Sequence, residues 1–169
     1  PANTLKRRTR PILSKMIAAM LAALLLGLPQ HAVVVPGKSF AGLKLGATGR
    51  QITAAWGPRY GVCRGCLRPT WYFTYRPFEP QGAAVSFRAG GAESFYTLRA
   101  PAGWHTDRGL KIGDPEARII SLYGVLPRLE CGTYAALVLI RGGTETEFYV
   151  YGGKVWGFGL SSAAVQRCH

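Results

Sequence analysis

Acidic side chains are scarce in this sequence: eight Asp and Glu face 21 Lys and Arg, a formal net charge of +13 at pH 7 over 169 residues. From Val33 to Phe78 there is no acid at all. That gap removes paired catalytic carboxylates from the first half, and no P-loop or HExxH helix takes their place. Histidine is equally thin, with His31 beside an apolar leader, His105 in the stretch PAGWHTDRG and His169 at the end. Asp107 is the acid nearest His105, and no serine or cysteine motif accompanies them, so His105 reads as a solvated linker residue. Groups able to exchange protons or attack are few. The expectation is a non-enzymatic chain with no catalytic residues, cofactor or metal.

One apolar run stands out, MIAAMLAALLLGL from Met16 to Leu28, led by Lys6, Arg7, Arg8, Arg10 and Lys15. It falls short of the roughly 20 apolar residues that a spanning helix needs. Residues 1–32 therefore read as an export signal, either cleaved after the small Ala32 or kept as an amino-terminal anchor. The site PQHA is imperfect, with Gln30 where a small residue is usual. No cysteine follows the run directly, so the lipid-attached arrangement of bacterial lipoproteins is absent, and Pro1 reads as a processed, truncated or misassigned start. Residues 33–169 are expected outside the cytoplasm, secreted or associated with the cell envelope. Any membrane contact would run through an uncleaved leader.

Charge is uneven along the remainder. Between Phe40 and Ala100 eight bases meet Glu79 and Glu93, whereas from Trp104 to Leu160 six bases balance six acids. A basic face outside the cytoplasm attracts anionic lipid, wall polymer or an acidic protein through screened attraction. The alternative is scattered, solvated arginine. Export removes nucleic acid as a partner, so the expected partner is a protein or an anionic envelope component.

The segment GLKLGATGRQITAAWG at 42–57 returns as GLKIGDPEARIISLYG at 109–124. In the first, Thr48 and Gln51 have capping-box spacing; in the second, Asp114 reads as N-cap with Pro115 and Glu116 opening the helix. Ile52, Ala55 and Trp56, like Ile119, Leu122 and Tyr123, share a helical face, and Gly57 and Gly124 close each helix. Strand-like runs follow each, TWYFTY and YAALVLI, then two β-rich runs meeting at Gly90-Gly91 and at Gly152-Gly153. The fold class expected is α+β: two tandem repeats, each a short helix and a three-stranded antiparallel meander. The first repeat would cover 40–100 and the second 109–160, with a linker at 101–108 and a tail at 161–169.

With Gly90 and Gly91 as loop residues, Val85 would face Tyr96, putting Ala83, Val85, Phe87, Tyr96 and Leu98 on the side that meets Ile52 and Trp56. The same register puts Tyr149, Tyr151, Trp156, Phe158 and Leu160 on the inner side of the second meander. Phe148, Val150 and Val155 would lie opposite, so both faces are apolar, and one must be covered by the other half, the tail or a partner.

These features resemble the tandem-repeat fold of the secreted β-lactamase inhibitory protein family and its single-copy relatives, the BamE-like (small protein A) envelope lipoproteins. The resemblance covers about residues 40–160 and rests on the GLKLG and GLKIG openings, the helices closed by WG or YG, and the aromatic meanders. It implies two sheets side by side whose concave aromatic surface grips a partner protein. The family's inhibitory loop has no counterpart here, and the missing lipid-anchoring cysteine departs from the BamE-like pattern. The candidate partner-binding residues are Trp71, Tyr149, Tyr151, Trp156 and Phe158, with Arg59, Arg64 and Arg68 in the basic first half.

Four cysteines in an exported chain suggest two disulfides, and of three connectivities Cys63 with Cys66 and Cys131 with Cys168 is favoured. CRGC at 63–66 reads alternatively as the dithiol couple of an exported thiol-disulfide enzyme. Its place between a helix and a strand, and not at a helix start, argues against a lowered thiol pKa. A purely structural envelope role is the third reading.

Overall fold

The structure, a computed structural model, describes residues 28–74, 81–100, 103–163, 165, 167 and 168. The leader reading lies outside these residues as far as position 27. In chain order the described elements are β1 (His31–Val35), β2 (Ser39–Phe40), α1 (Gly49–Trp56), β3 (Gly61–Val62), β4 (Thr70–Thr74), β5 (Gly82–Arg88), β6 (Gly91–Arg99) and β7 (Gly103–Thr106). Then come α2 (Glu116–Tyr123), β8 (Arg128–Glu130), β9 (Ala135–Arg141), β10 (Thr144–Tyr151) and β11 (Lys154–Ser162).

Local chemistry sets the helix starts. Thr48 Oγ1 accepts from the Gln51 amide, and Gln51 Oε1 accepts from the Thr48 amide at 2.9 Å, the reciprocal capping that their spacing announces. At α2 the cap differs from expectation. Pro115 occupies the N-cap position, while Asp114 Oδ2 accepts from the Lys111 amide at 2.8 Å and tightens the turn before the helix. The two GLKxG segments make corresponding joints: the Gly46 amide donates to Ala92 O and the Gly113 amide to Val155 O, both at 2.7 Å. Gly46 and Gly113 sit at φ of 82° and 92°, a region that disfavours any residue with a Cβ. Each motif thus fastens a helix start to the near end of a hairpin.

The expected pair of three-stranded meanders is not what forms. The chain is mostly β, and its strands merge into one eight-stranded antiparallel sheet of order β3-β4-β5-β6-β11-β10-β9-β8. A free meander leaves an edge of unpaired N–H and C=O groups on each side. Here the inner edges satisfy each other: β6 pairs β11 through Gly159 with Tyr96, Leu160 with Phe95 and Ser161 with Ser94. Thr97 Oγ1 reinforces the seam by donating to Phe158 O at 3.3 Å and accepting from its amide at 3.0 Å. The stretch read as a linker supplies β7, which runs parallel to β1 in a separate three-stranded sheet, β2-β1-β7.

One core joins these layers. Phe40 of β2 lies 5.8 Å from Phe95, 5.3 Å from Trp104 and 6.2 Å from Trp56, measured between ring centroids. Ile52, Ile119, Phe148, Phe158 and Leu160 belong to the same buried cluster.

Two bulges overturn the expected strand faces. The first hairpin turns on Ala89 and Gly90, both at positive φ, and a register shift between Ser86 and Phe87 makes Phe95, not Tyr96, the partner of Val85. Tyr96 therefore leaves the core side. In the second hairpin the shift between Tyr149 and Val150 sets Tyr149 opposite Gly157, so Trp156 is the extra residue. Phe158 and Leu160 join Phe148, Val150 and Val155 beneath the helices, where Tyr123 stacks on Phe148 at 4.7 Å. Tyr149 and Trp156, expected on that inner side, cluster on the opposite face with Ala136, Val138 and Tyr134. Because side chains alternate with period two, one inserted residue moves everything after it to the other face.

Candidate functional site

The rim of the first half gathers most of the basic candidates. β3 and β4 form a hairpin at the sheet edge, with Val62 opposite Trp71 and Gly61 opposite Tyr72. Tyr60 stacks on Trp71 at 4.0 Å, and Phe87 lies 4.7 Å from the same indole. Trp71 reaches across the start of α1, where a Cβ on Gly49 would stand 2.6 Å from the indole, so only glycine lets the ring lie there. The result is a notch of about 440 Å³ lined by Gly49, Arg68, Pro69, Trp71, Phe87, Arg88, Ala89 and Gly90, with two cations and no acid. Arg59, just before β3, and Arg64, between β3 and β4, are exposed.

Arg68 stands between the two faces of the sheet. Its Nε lies 3.2 Å from Glu93, whose side chain is only 6% exposed. Behind it, on the face away from the helices, runs a groove of about 550 Å³ whose lining includes Leu67, Arg68, Thr70, Tyr72, Ser86, Glu93, Tyr96 and Val165. Ser86 and Ser94 share a 2.6 Å hydrogen bond in this region. Burial, with a hydrogen bond to Tyr72 adding to it, pushes the Tyr96 hydroxyl up to about 12, so it stays protonated and able to donate. Cys66 and Cys168 reach the same groove from the two disulfides, Cys63–Cys66 and Cys131–Cys168.

All four cysteines are thus bridged in the favoured connectivity. CRGC lies between β3 and β4, away from any helix start whose dipole would lower a thiol pKa. His105 occupies β7, with Nδ1 3.1 Å from Gly103 O. Among the described residues no three His, Cys, Asp or Glu gather as a metal site.

The second-half candidates separate. Phe158 is fully buried and Tyr149 nearly so, which makes both core positions; Trp156 is half-buried and Tyr151 is 63% exposed. Beside them the strand TETEFYVY turns Glu145, Glu147 and Tyr149 to one face. Ser161 donates to Glu147 Oε1 at 2.5 Å, and Arg167 from the tail grips both Glu145 oxygens. Burial drives the Glu147 carboxyl up to about 7, against the pull of its hydrogen bonds from Ser161 and the backbone. Sequence reading missed Arg88, Glu93 and this acid pair. The signal for the acids was present: period-two alternation places Glu145 and Glu147 with Tyr149, on a face where solvent is scarce.

These carboxylates share a pattern. Glu93 pairs with Arg68, Glu116 and Glu130 both with Arg128, and Glu145 with Arg167, while Glu147 is buried and Asp114 closes a turn. Among the described acids Asp107 is the exception, exposed at the end of β7. Lys44, Arg50, Arg59, Arg64, Arg88 and Arg118 are exposed and take no part in these ion pairs. Among the described residues, the charged side chains left exposed outside these pairs are therefore almost all positive.

Solved structures place the fold. An extracellular protein containing an SCP domain from Bacillus anthracis is similar at a TM-score of 0.52 and 10% identity, over 70% of this chain and 44% of that one. A cysteine-rich secretory protein from Staphylococcus aureus aligns at a TM-score of 0.48 and 14% identity over 79% and 50% of the two chains. A DUF4309 family protein from Bacillus subtilis does so at 0.47 and 14% over 72% and 82%. This chain spans less than half of the first protein and half of the second. No family model and no curated protein matches it.

The Bacillus anthracis structure and the continuous eight-stranded sheet overturn the resemblance to β-lactamase inhibitory and BamE-like repeat proteins; the likeness is in β-rich fold, to part of a protein that contains an SCP domain. The GLKxG motif misled because it encodes a joint between a helix and a hairpin, which a continuous sheet uses as readily as a separate repeat does.

Proposed function

We propose that this chain is an exported, non-catalytic binding module that captures an anionic component of the cell envelope through the basic rim of its first half. The observation that carries the reading is the internal use of acid: among the described carboxylates all but Asp107 are paired, buried or held in a turn, while Arg59, Arg64 and Arg88 beside the Trp71 notch face solvent outside these pairs. Long-range attraction from such a surface concentrates anions before any specific contact forms. Export is supported by the basic, then apolar, leader and by two disulfides, which persist in oxidising compartments. The Bacillus anthracis protein of similar fold is described as extracellular.

Capture of envelope material by the full chain should weaken about tenfold or more in an Arg59→Glu/Arg64→Glu variant, at about 1 kcal/mol per basic residue near an anionic surface. Arg118→Glu, on α2, should leave it nearly unchanged. Equal loss in both variants would point to net charge and not to this rim.

Processing gives a second check. Leu28 is buried in the core, Trp104 Nε1 donates to Pro29 O at 3.0 Å, and Ala32 is buried on β1. A Cβ on Gly103 would stand 2.7 Å from Gln30 O, so β7 is fitted closely to residues 30–31. Cleavage after Ala32 would discard these contacts. Amino-terminal sequencing of the exported protein should find a start at or before Leu28; a start at Val33 would contradict this part of the reading.

A further inference from the structure

Apolar side chains stand in water at the same rim, and charge does not explain them. From Arg59 to Arg68 the chain reads RYGVCRGCLR, alternating bases and apolar residues without an acid. Its tip, residues 63–69 between β3 and β4, is closed on itself by Cys63–Cys66. Leu67 is 98% exposed and Val62 57%. Isolated exposed apolar residues are ordinary, but these two flank a stapled tip together with Arg64, which is exposed and takes no part in the ion pairs described above. The second half shows the contrast. Val125 is 89% exposed there too, yet Arg128 close by is neutralised by Glu116 and Glu130.

We propose that the 59–68 hairpin tip docks the domain on an anionic lipid bilayer, with Leu67 and Val62 entering the headgroup boundary while Arg59 and Arg64 hold lipid phosphates. This rests on the reading that the rim captures an anionic envelope component, and names that component. A soluble wall polymer offers charge but no apolar phase for Leu67, whereas the bilayer interface offers both within a few ångströms. Arginine suits the position because its apolar stem can lie beside the acyl chains while its planar fork pairs phosphate oxygens. The Cys63–Cys66 staple limits the ordering cost of binding.

The test is co-sedimentation of the exported chain, freed of the apolar leader that precedes Leu28, with vesicles of phosphatidylcholine alone and of phosphatidylcholine mixed with phosphatidylglycerol, alongside binding to soluble polyphosphate. Wild type should bind the mixed vesicles and not the neutral ones. Leu67→Ser should bind them about tenfold more weakly and polyphosphate as wild type does; Arg64→Ala should lose about fivefold on the vesicles. Leu67 makes so little contact with the fold that its variant should keep the native circular dichroism spectrum. Unchanged vesicle binding by Leu67→Ser overturns the inference, as does wild-type binding to polyphosphate or to a protein fraction without vesicle binding; both leave the broader reading standing. Binding to no anionic probe overturns both.

Discussion

Replacing Phe158 with alanine is expected to cost about 3–5 kcal/mol of stability, the range for emptying a buried aromatic site. Phe158 is fully buried, its ring 6.4 Å from Phe148, and its backbone is held on both sides by Thr97 Oγ1 at the β6–β11 seam. A loss of that size is a large share of the roughly 5–15 kcal/mol that holds a typical domain folded, so the denaturant midpoint should fall sharply. Tyr151→Ala, at a position 63% exposed, should stay within about 0.5 kcal/mol of wild type. A Phe158→Ala protein with an unchanged midpoint and impaired envelope capture would return that residue to a recognition surface.

The second large effect is a pH dependence. Glu147 titrates near 7 in the folded chain, chiefly through burial, against an ordinary value of 4.5. Between those values the folded state keeps a proton that the unfolded state has released. Its contribution is therefore fully present below pH of about 4.5 and is lost as pH rises through about 7, amounting to about 3 kcal/mol. Glu145, Arg167, Ser161 and Tyr149 face or adjoin the carboxyl. Glu147→Gln keeps the shape of the protonated acid, so it should flatten this fall and be the more stable protein at pH 8. Stability measured by denaturation across that range decides the matter. Wild type and Glu147→Gln curves that run parallel would mean that the carboxyl is not held protonated.

Much of the local structure was legible in the residues themselves. Thr48 and Gln51 announce their helix start, Gly57 and Gly124 close the helices at positive φ, and the cysteine spacing anticipated the pairing that forms. What escaped was whatever backbone hydrogen bonding decides without regard to side chains. Nothing in Ser94–Tyr96 or Gly159–Ser161 says that these strands will find each other, and WHT at 104–106 reads as linker until β1 pairs with it. The bulges did the rest, sending Tyr96 and Trp156 away from the core, while Phe158 stayed on the inner side where the alternation had put it.

The candidate site divides along the same line. Arg59 and Arg64 were legible because an exposed loop leaves bases where composition puts them. Arg68 pairs with Glu93, and Arg88 meets Trp71 at a shared notch, only because the sheet edge folds over α1.

The most direct test of the proposed role is the affinity of the full chain for envelope material as salt rises from about 0.01 M to about 1 M, over which the screening length falls from about 30 Å to about 3 Å. The expected result is binding that weakens steadily with salt, and a shallower slope for Arg59→Glu/Arg64→Glu. Affinity that holds constant or strengthens with salt would contradict it.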